Sequence, residues 1–326
     1  MTLDDVTLES IQRAAQVIAG RVHRTPLLRS RTLSAMTGFD IRLKAENLQK
    51  TGCFKPRGAL NKIERMTAEE KSRGVLAASA GNHAQGLAYA AVSLGIPVTV
   101  VMPRNAQQSK IDATREMGAS IVLHGEVFDD ALAHSLEMQR MTGMTYVHPC
   151  IDPDVVSGAG TLGLEILEDW PDVDAIVTPI GGGGLITGIS VAVKSQHPSV
   201  RVFGVQPSGA PSMKRAMEAG RVVRLESVQS IADGMAGRAV FDDTLAFAQR
   251  YVEDVLLVSD ASLIQAMGLL LTRCKLLAEG AGAGPLAAIL DGSLPLPTGS
   301  KVVAVISGGN QDLRLLARWL TEGPPA

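Results

Sequence analysis

The sequence has few of the features that mark secreted, membrane or zinc-binding proteins. Its three cysteines, Cys53, Cys150 and Cys274, are too widely spaced for a disulfide framework or a zinc site. No apolar run reaches the roughly 18 residues that a membrane-spanning helix needs. The acidic start of the chain lacks the basic and apolar regions of a signal peptide. These absences predict a cytoplasmic protein that does not enter a membrane.

An excess of charge of one sign is also lacking. The 326 residues include 31 Lys and Arg against 33 Asp and Glu, which gives a formal net charge of −2. Such a balance offers no electrostatic reason to bind nucleic acid or an anionic membrane. With 46% hydrophobic and 20% charged residues, the composition is that of a globular protein. The length suggests about two domains.

Short apolar segments alternate with helical patterns along most of the chain. The predicted strands are 41–45, 75–79, 97–102, 120–124, 175–179, 200–205, 254–258 and 301–306. Helices are predicted over 8–18, 57–66, 107–117, 129–141, 163–170 and 259–275, with a polar loop at 67–74. This alternation is typical of parallel sheets covered by helices on both faces, so we predict a two-lobed α/β fold.

Lys55 stands where the chain is expected to enter a helix. Pro56 suits the first turn of a helix, and a residue that precedes proline favours an extended conformation, so the helix is predicted to begin at Arg57. The helix N-terminus disfavours a cation by about 0.3–1 kcal/mol. The neutral amine is the form that attacks a carbonyl, although the pattern alone also fits a solvated lysine near a helix cap.

Four consecutive glycines follow the strand at 175–179 and precede a helix. Their backbone N–H groups can converge on an anion without a Cβ in the way, and the helix dipole adds to the attraction, so phosphate is the expected ligand. A flexible turn is the structural alternative. A dinucleotide site is another alternative, but it needs an acidic residue about 20 positions on, where Val202 and apolar neighbours stand.

Two further segments occupy the same strand-to-helix position. Ser307 and the residues to 310 follow the last predicted strand, at the edge where parallel sheets bind ligands. Residues 79–83 follow the strand at 75–79 and can present N–H groups to a carboxylate. His83, in this segment, is expected to be packed rather than to act as a base. A glycine turn explains the segment at 307–310 equally well when it is taken alone.

Together these segments resemble the four signatures of the fold-type II pyridoxal-phosphate (PLP) enzymes, a family that includes threonine and serine dehydratases and serine racemase. The motifs at 51–59, 79–86, 181–185 and 307–310 occur in the family's order, and the resemblance extends from about residue 6 to about residue 320. It implies a tryptophan synthase β-like fold, PLP as cofactor and a homodimer or homotetramer. It also implies a large cofactor-binding domain, 1–49 and 147–326, and a small substrate-closing domain, 50–146.

The resemblance implies roles for individual residues. Lys55 would be the catalytic residue and would hold the cofactor, Asn82 would contact its 3′-oxygen, and Ser307 would bond its pyridine nitrogen. The residues implied to bind the cofactor are Phe54, Lys55, Asn82, Gly181, Gly182, Gly183, Gly184, Leu185 and Ser307. Those expected to bind an amino acid substrate are Ser79, Ala80, Gly81, Asn82 and His83.

Position 80 bears on the reaction. Serine racemases place a proton-donating serine there, whereas this chain has Ala80, as threonine dehydratases do. The expected activity is β-elimination of a 3-hydroxy amino acid, threonine or serine first, to a 2-oxo acid and ammonia. Alternatives are a dehydratase for 3-hydroxyaspartate or an aryl-serine, a serine racemase-like enzyme, a binding protein without turnover, and a nicotinamide oxidoreductase.

Three departures from the family pattern bear on the site. Cys53 replaces the usual serine two residues before the cofactor lysine and is expected to pack quietly, the alternative being an oxidation-sensitive thiol. Cys150 stands where relatives have bulkier or polar residues near the substrate. Gln206 and Ser212 stand where metal-binding relatives supply carboxylates, so we expect no metal site.

Overall fold

The computed structural model describes residues 2–106 and 108–325 and places them in two sheets with helices packed against both. The strands are β1 (Leu27–Arg29), β2 (Asp40–Ala45), β3 (Val75–Ala78), β4 (Val98–Met102), β5 (Ser120–Leu123), β6 (Thr145–Tyr146), β7 (Ala175–Pro179), β8 (Arg201–Pro207), β9 (Asp254–Val258) and β10 (Lys301–Ile306). The predicted α/β class is confirmed.

Fourteen α-helices are present in the described residues. They are α1 (Leu8–Ile18), α2 (Arg31–Thr37), α3 (Lys55–Arg65), α4 (Ala68–Arg73), α5 (Asn82–Ser93), α6 (Gln108–Glu116), α7 (Phe128–Thr142), α8 (Pro153–Asp169), α9 (Gly184–Lys194), α10 (Ser212–Ala219), α11 (Asp242–Tyr251), α12 (Asp260–Leu269), α13 (Gly280–Leu290) and α14 (Leu313–Glu322). Of the helices in this part of the chain, none has the length and hydropathy that crossing a bilayer requires.

The larger sheet has the strand order β1-β2-β10-β7-β8-β9, with β1 antiparallel to β2 and the remaining pairs parallel. Both faces of its central strands are buried, because successive side chains enter different hydrophobic cores. On β7, Val177 packs in one core and Ile176 in the other, and Ala304 and Val303 do the same on β10. This burial explains why these strands appear in the sequence as continuous apolar runs.

The smaller sheet has the parallel order β5-β4-β3-β6 and is built from residues within 75–146. Leu76 of β3 lies opposite Thr99 of β4 on one side and Tyr146 of β6 on the other. Its core also takes in residues from outside this range, among them Ile18 and Val155. The domain boundaries at 50 and 146 therefore stay a prediction.

The largest error in the predicted elements concerns α8, which was expected over 163–170 but begins at Pro153, with Asp152 as its N-cap. Glycines lower the helix propensity of this first half. They are needed because α8 packs closely against α3: a Cβ on Gly158 would lie 2.6 Å from the Cα of Gly58. Tertiary packing therefore stabilises a helix that propensity argues against.

Other helix ends also differ from prediction. Helix α3 begins at Lys55 rather than Arg57, since Phe54 already has helical dihedral angles (φ −65°, ψ −17°). The segment 67–74, predicted as a loop, contains α4, which Thr67 and Glu70 close with a capping box. The predicted helix over 259–275 is α-helical only to Leu269 and continues as a π-helical segment, Leu270–Cys274. Gln107, in the helix predicted over 107–117, lies outside the described residues.

Helices α2, α10, α11 and α13 were not predicted. Helix α13 is composed largely of glycine and alanine and contains Pro285. It is buried against the larger sheet, so burial of an apolar surface supplies the stability that its sequence lacks.

A buried cluster of four charges anchors the first turn of α3. Arg57 forms a bidentate pair with Glu46, with Nε–Oε2 at 2.8 Å, and reaches Glu165 of α8 at 2.7 Å. Lys44, at the end of β2, also pairs with Glu165. Burial alone would raise the pKa of Glu46, but the Arg57 guanidinium outweighs it and holds that pKa below its usual range. Two positive and two negative charges thus balance where Lys55 enters its helix.

We expect Arg57→Met to lower the free energy of unfolding by about 3–5 kcal/mol, because Glu46 would keep the Thr25 hydroxyl as partner but lose its ion-pair partner. The control is Arg13→Met, at an exposed i,i+4 pair with Glu9, where the expected change is within about 0.5 kcal/mol. Urea unfolding of the two variants measures the difference. Equal losses in both would contradict the role given to the buried cluster.

Candidate active site

Lys55 begins α3 at a point where backbone pairing holds the chain against a distant segment. The Phe54 N–H donates to the carbonyl of Ser307 at 3.0 Å, and the Gly309 N–H donates to the carbonyl of Gly52 at 2.8 Å. The loop before α3 and the loop after β10 are therefore joined on both sides of position 53. The main chain at Lys55 is positioned before any ligand is considered.

The amine of Lys55 has few competing partners. Nζ donates to the carbonyl of Pro149 at 3.3 Å and lies 4.9 Å from the centre of the Phe54 ring. Within residues 2–106 and 108–325, no carboxylate lies within ion-pair distance of it, whereas the buried amine of Lys44 has one such partner and that of Lys62 has two. An amine without a carboxylate partner is available to a carbonyl-bearing ligand.

The glycine loop connects β7 to α9. Its residues are Gly181, Gly182, Gly183 and Gly184. Gly183 is the N-cap of α9 and adopts φ +97°, a left-handed conformation that favours glycine. The first N–H groups of α9, including that of Leu185, have no intrahelical acceptor, so they face the loop as donors. This arrangement is suited to a phosphate.

The segment after β6 connects this loop to Lys55. Pro149 accepts the hydrogen bond from Lys55, and Cys150, the next residue, packs on the glycines. A Cβ at position 182 would lie 2.5 Å from Cys150 Sγ, and one at position 184 would lie 2.9 Å from its carbonyl oxygen. Two consecutive residues thus connect the site: Pro149 contacts the Lys55 amine, and Cys150 contacts the glycine loop.

Ser307 is almost completely buried at the end of β10. Its carbonyl oxygen is occupied by the Phe54 N–H. Its hydroxyl, by contrast, makes no hydrogen bond with any described residue, and the oxygen retains some exposure to solvent. A hydroxyl in this state at the carboxyl edge of a parallel sheet is free to bond a ligand.

The segment after β3 forms a turn into α5. Ser79 Oγ accepts a hydrogen bond from the Gly81 N–H at 3.2 Å, which shapes the turn into α5. A Cβ on Gly81 would meet no heavy atom within 4 Å, so the space above this turn is open. Ala80 is partly buried against the core of the smaller sheet. Open space beside the N-terminus of a helix is suited to a carboxylate.

His83 is packed inside the protein. Its Nε2 donates to the carbonyl of Val147 at 2.8 Å, while its Nδ1 has no partner among the described residues. Burial and the positive charge of Lys55 lower the pKa of His83 to about 3. The imidazole is therefore neutral near pH 7, as expected for a packed histidine.

Four of the predicted cofactor residues line one cavity. A cavity between α3 and the glycine loop is lined by Phe54 and Lys55 on one side and by Gly184 and Leu185 on the other, with Pro149 between them. In their chemistry, the unpaired N–H groups at the start of α9 suit a phosphate, the partnerless hydroxyl of Ser307 suits a ring nitrogen, and the amine of Lys55 suits a carbonyl. Asn82 borders the same region through the Ser307 loop, since a Cβ on Gly308 would lie 3.3 Å from its Nδ2.

Several residues at the site were not found by sequence reasoning. Pro149 supplies the carbonyl that Lys55 bonds. His148 accepts the N–H groups of Cys150 and Ile151 on Nδ1, both at 3.1 Å, which places its proton on Nε2. Burial and nearby Lys55 lower the pKa of His148 to about 4. Glu279, before α13, bonds Asn82, and no local motif in the sequence marks any of these residues.

The structure describes two of the departures from the family pattern directly. Cys53 is fully buried, and burial raises the pKa of its thiol to about 12, which favours an unreactive, packed side chain over an oxidation-sensitive thiol. Gln206 is also buried: its Oε1 accepts the N–H groups of Met213 and Lys214, and its Nε2 donates to Ser212. Across the described ranges, no group of three His, Cys, Asp or Glu side chains is arranged to hold a metal ion.

Comparison with known proteins gives the site its context. The profile of the family described as pyridoxal-phosphate dependent enzyme matches residues 18–308. The L-threonine ammonia-lyase of Thermotoga maritima is 49% identical over 318 residues, which cover 98% of this chain and 79% of that protein. The catabolic L-threonine dehydratase TdcB of Escherichia coli is 43% identical over 309 residues, 94% of each chain.

Solved structures agree with the sequence comparison. Maize serine racemase superposes with a TM-score of 0.93 at 36% identity and covers 97% of both chains. The fold and the family predicted from the four motifs are therefore confirmed, and PLP is the cofactor of the family. This chain belongs to the family of pyridoxal-phosphate dependent enzymes.

Proposed function

We propose that the protein catalyses the PLP-dependent β-elimination of a 3-hydroxy amino acid, with threonine or serine as first candidates, to a 2-oxo acid and ammonia. The observation that carries the proposal is the amine of Lys55, which has no carboxylate partner among the described residues and shares a cavity with Gly184 of the glycine loop. Its relatives named L-threonine ammonia-lyase and L-threonine dehydratase support the same reaction.

The chain's own residues would bind the cofactor at three points. The glycine loop and the N-terminus of α9 would hold its phosphate, and the hydroxyl of Ser307 would bond its ring nitrogen. When bound, PLP supplies an electron sink that stabilises negative charge on the substrate α-carbon. A neutral hydroxyl on the ring nitrogen does not demand a protonated ring, which suits a short elimination.

Lys55 would move the proton. Its Nζ takes the proton from the α-carbon as a general base, and the contacts that it gives up, with the Pro149 carbonyl and the Phe54 ring, are weak ones. The β-hydroxyl leaves as water, and the enamine product hydrolyses to the 2-oxo acid and ammonia. The open turn at Ser79 and Gly81 would bind the substrate carboxylate, within a small domain, 50–146, that closes over the substrate.

Two further activities remain candidates on specific observations. Cys150, which packs against the glycine loop, stands where relatives have bulkier or polar residues near the substrate, and this difference favours 3-hydroxyaspartate or an aryl-serine as alternative substrates. The likeness to maize serine racemase favours racemisation, but Ala80 offers no proton to the second face of the α-carbon. We therefore place elimination before racemisation.

We also propose a cytoplasmic homodimer or homotetramer that binds neither nucleic acid nor membrane. Its three cysteines are all free, which suits a reducing compartment. Leu313 and Leu320 of α14 are exposed apolar side chains, of the kind that subunit contacts cover. The net charge of −2 gives no basis for binding a polyanion.

Assay of purified enzyme against a panel of 3-hydroxy amino acids tests the proposal. We expect release of a 2-oxo acid from threonine or serine, and a loss of at least about 10³-fold in Lys55→Ala, because proton transfer and cofactor attachment are both removed. Lys50→Ala, at an exposed lysine five positions earlier, is the matched control and should keep wild-type activity. Undiminished turnover by Lys55→Ala would falsify the proposal.

Substitution at position 80 tests the assignment of reaction type. Ala80→Ser introduces a hydroxyl that can exchange a proton, so D-serine formation from L-serine should rise by about tenfold or more. Ala80→Val cannot exchange a proton and should show no gain. The D-serine is measured with a stereospecific oxidase, and an equal rise in both variants, or none in the serine variant, would count against the assignment.

The neutral, satisfied environment of Gln206 leads to a further prediction. Exhaustive treatment with EDTA should leave threonine or serine deamination within about twofold of the untreated enzyme, because a hard divalent cation finds no anionic ligands there. Activity that is lost with chelator and restored by magnesium would contradict this prediction.

A further inference from the structure

Glu279 holds a position in the site to which the proposed reaction assigns no role. It is the residue before α13, and its backbone N–H donates to the carbonyl of Gly308 at 3.1 Å. Its Oε1 accepts a hydrogen bond from Asn82 Nδ2 at 2.6 Å. The carboxylate is also pressed against the Ser307 loop, since a Cβ on Gly308 would lie 2.5 Å from Oε1. Glu279 therefore contacts two of the segments that border the cofactor site.

The hydrogen bonds around Asn82 define the orientation of its amide. Asn310 Nδ2 donates to the carbonyl of Thr51 at 2.8 Å, and because a carbonyl only accepts, this atom must be the nitrogen. The same nitrogen donates to Asn82 Oδ1 at 2.8 Å, so Asn82 Nδ2 faces Glu279. Rotating the Asn82 amide by half a turn would set its oxygen against the carboxylate and its nitrogen against that of Asn310.

One Nδ2 hydrogen of Asn82 is used by Glu279, and the second has no acceptor among the described residues. We propose that Glu279 is a positioning residue, which locks the Asn82 amide so that this second N–H is left for the 3′-oxygen of PLP. The inference rests on the proposed function, in which Asn82 contacts the cofactor. Beyond that function, the inference assigns to Glu279 the role of orienting the Asn82 amide so that its nitrogen faces the cofactor.

The charge of Glu279 strengthens this lock. Although part of the residue reaches solvent, the protein packed around its carboxyl raises its pKa to about 7, against the hydrogen bond from Asn82. The other charged or titratable groups that act on it are Lys55, Lys110 and Asp233, and Cys53 lies on the far side of Gly308. An ionised carboxylate only accepts, whereas the acid can also donate and so tolerates either amide orientation.

The test is the affinity of the full-length, cofactor-free enzyme for PLP, followed by absorbance or intrinsic fluorescence at pH 8. We expect Glu279→Ala to raise the Kd by about tenfold or more, and Glu279→Gln, which keeps an acceptor without charge, by about fivefold or less. Asp291→Ala, at the exposed other end of α13, is the control and should keep the wild-type Kd. Thermal melts of the cofactor-free variants check that each is folded.

A double-mutant cycle separates positioning from general stability. In the Asn82→Ala background, Glu279→Ala should change the Kd by less than about twofold, because no amide remains to be oriented. Between pH 8 and pH 6, the Kd should rise about fivefold more in the wild type than in Glu279→Gln, since protonation of Glu279 below its pKa removes the acceptor-only form.

A wild-type Kd in Glu279→Ala, or an equal loss with and without Asn82, would overturn the positioning role and leave the proposed function intact. Should Glu279→Ala fail to fold, Glu279→Gln decides by the same comparison of pH profiles, because an unchanged profile contradicts the inference. If the wild-type chain itself bound no PLP, the proposed function and this inference would both be overturned.

Discussion

The site depends on a short backbone pairing between two loops that lie about 250 residues apart in the chain. Cys53 and Gly308 form an isolated antiparallel bridge, flanked by hydrogen bonds from Phe54 and from Gly309. Because Lys55 follows this bridge immediately, its position relative to the larger sheet is set by main-chain atoms. Side chains near the bridge are therefore not needed to position Lys55.

The same construction recurs around the site. Three parallel strands, β7 and β10 of the larger sheet and β3 of the smaller one, each end in a loop rich in glycine or serine that precedes a helix. Main-chain N–H groups at helix N-termini supply the positive end of a dipole without a mobile cation. In the proposed site, such groups would bind a phosphate and a carboxylate, while the amine of Lys55 has no carboxylate partner among the described residues and donates only to the Pro149 carbonyl.

Arg57, two residues after Lys55, has a different electrostatic environment. Arg57 belongs to a cluster in which every buried charge has an opposite partner, and this cluster holds the first turn of α3 between β2 and α8. Lys55, two residues earlier, has none in the part of the chain that the structure describes. The contrast agrees with a structural role for Arg57 and with the reactive role proposed for Lys55.

Much of this arrangement could be predicted from local patterns. The central strands are recognisable because both of their faces are buried, and the four motifs mark their own loops through glycine and serine at strand-to-helix junctions. The first half of α8 could not be predicted, because its glycines serve contacts with α3 and α9 that only the folded chain reveals. Glu279 and Pro149 were missed for a related reason, since each acts on a partner far away in sequence.

The central claim is that the amine of Lys55, and no other in the chain, meets the carbonyl of the cofactor. Borohydride reduction of the PLP-loaded enzyme, followed by peptide mapping with mass spectrometry, tests it directly. The account predicts a single pyridoxyl label, on Lys55. A label on a different lysine, or no reducible label in an active and PLP-loaded preparation, would contradict it.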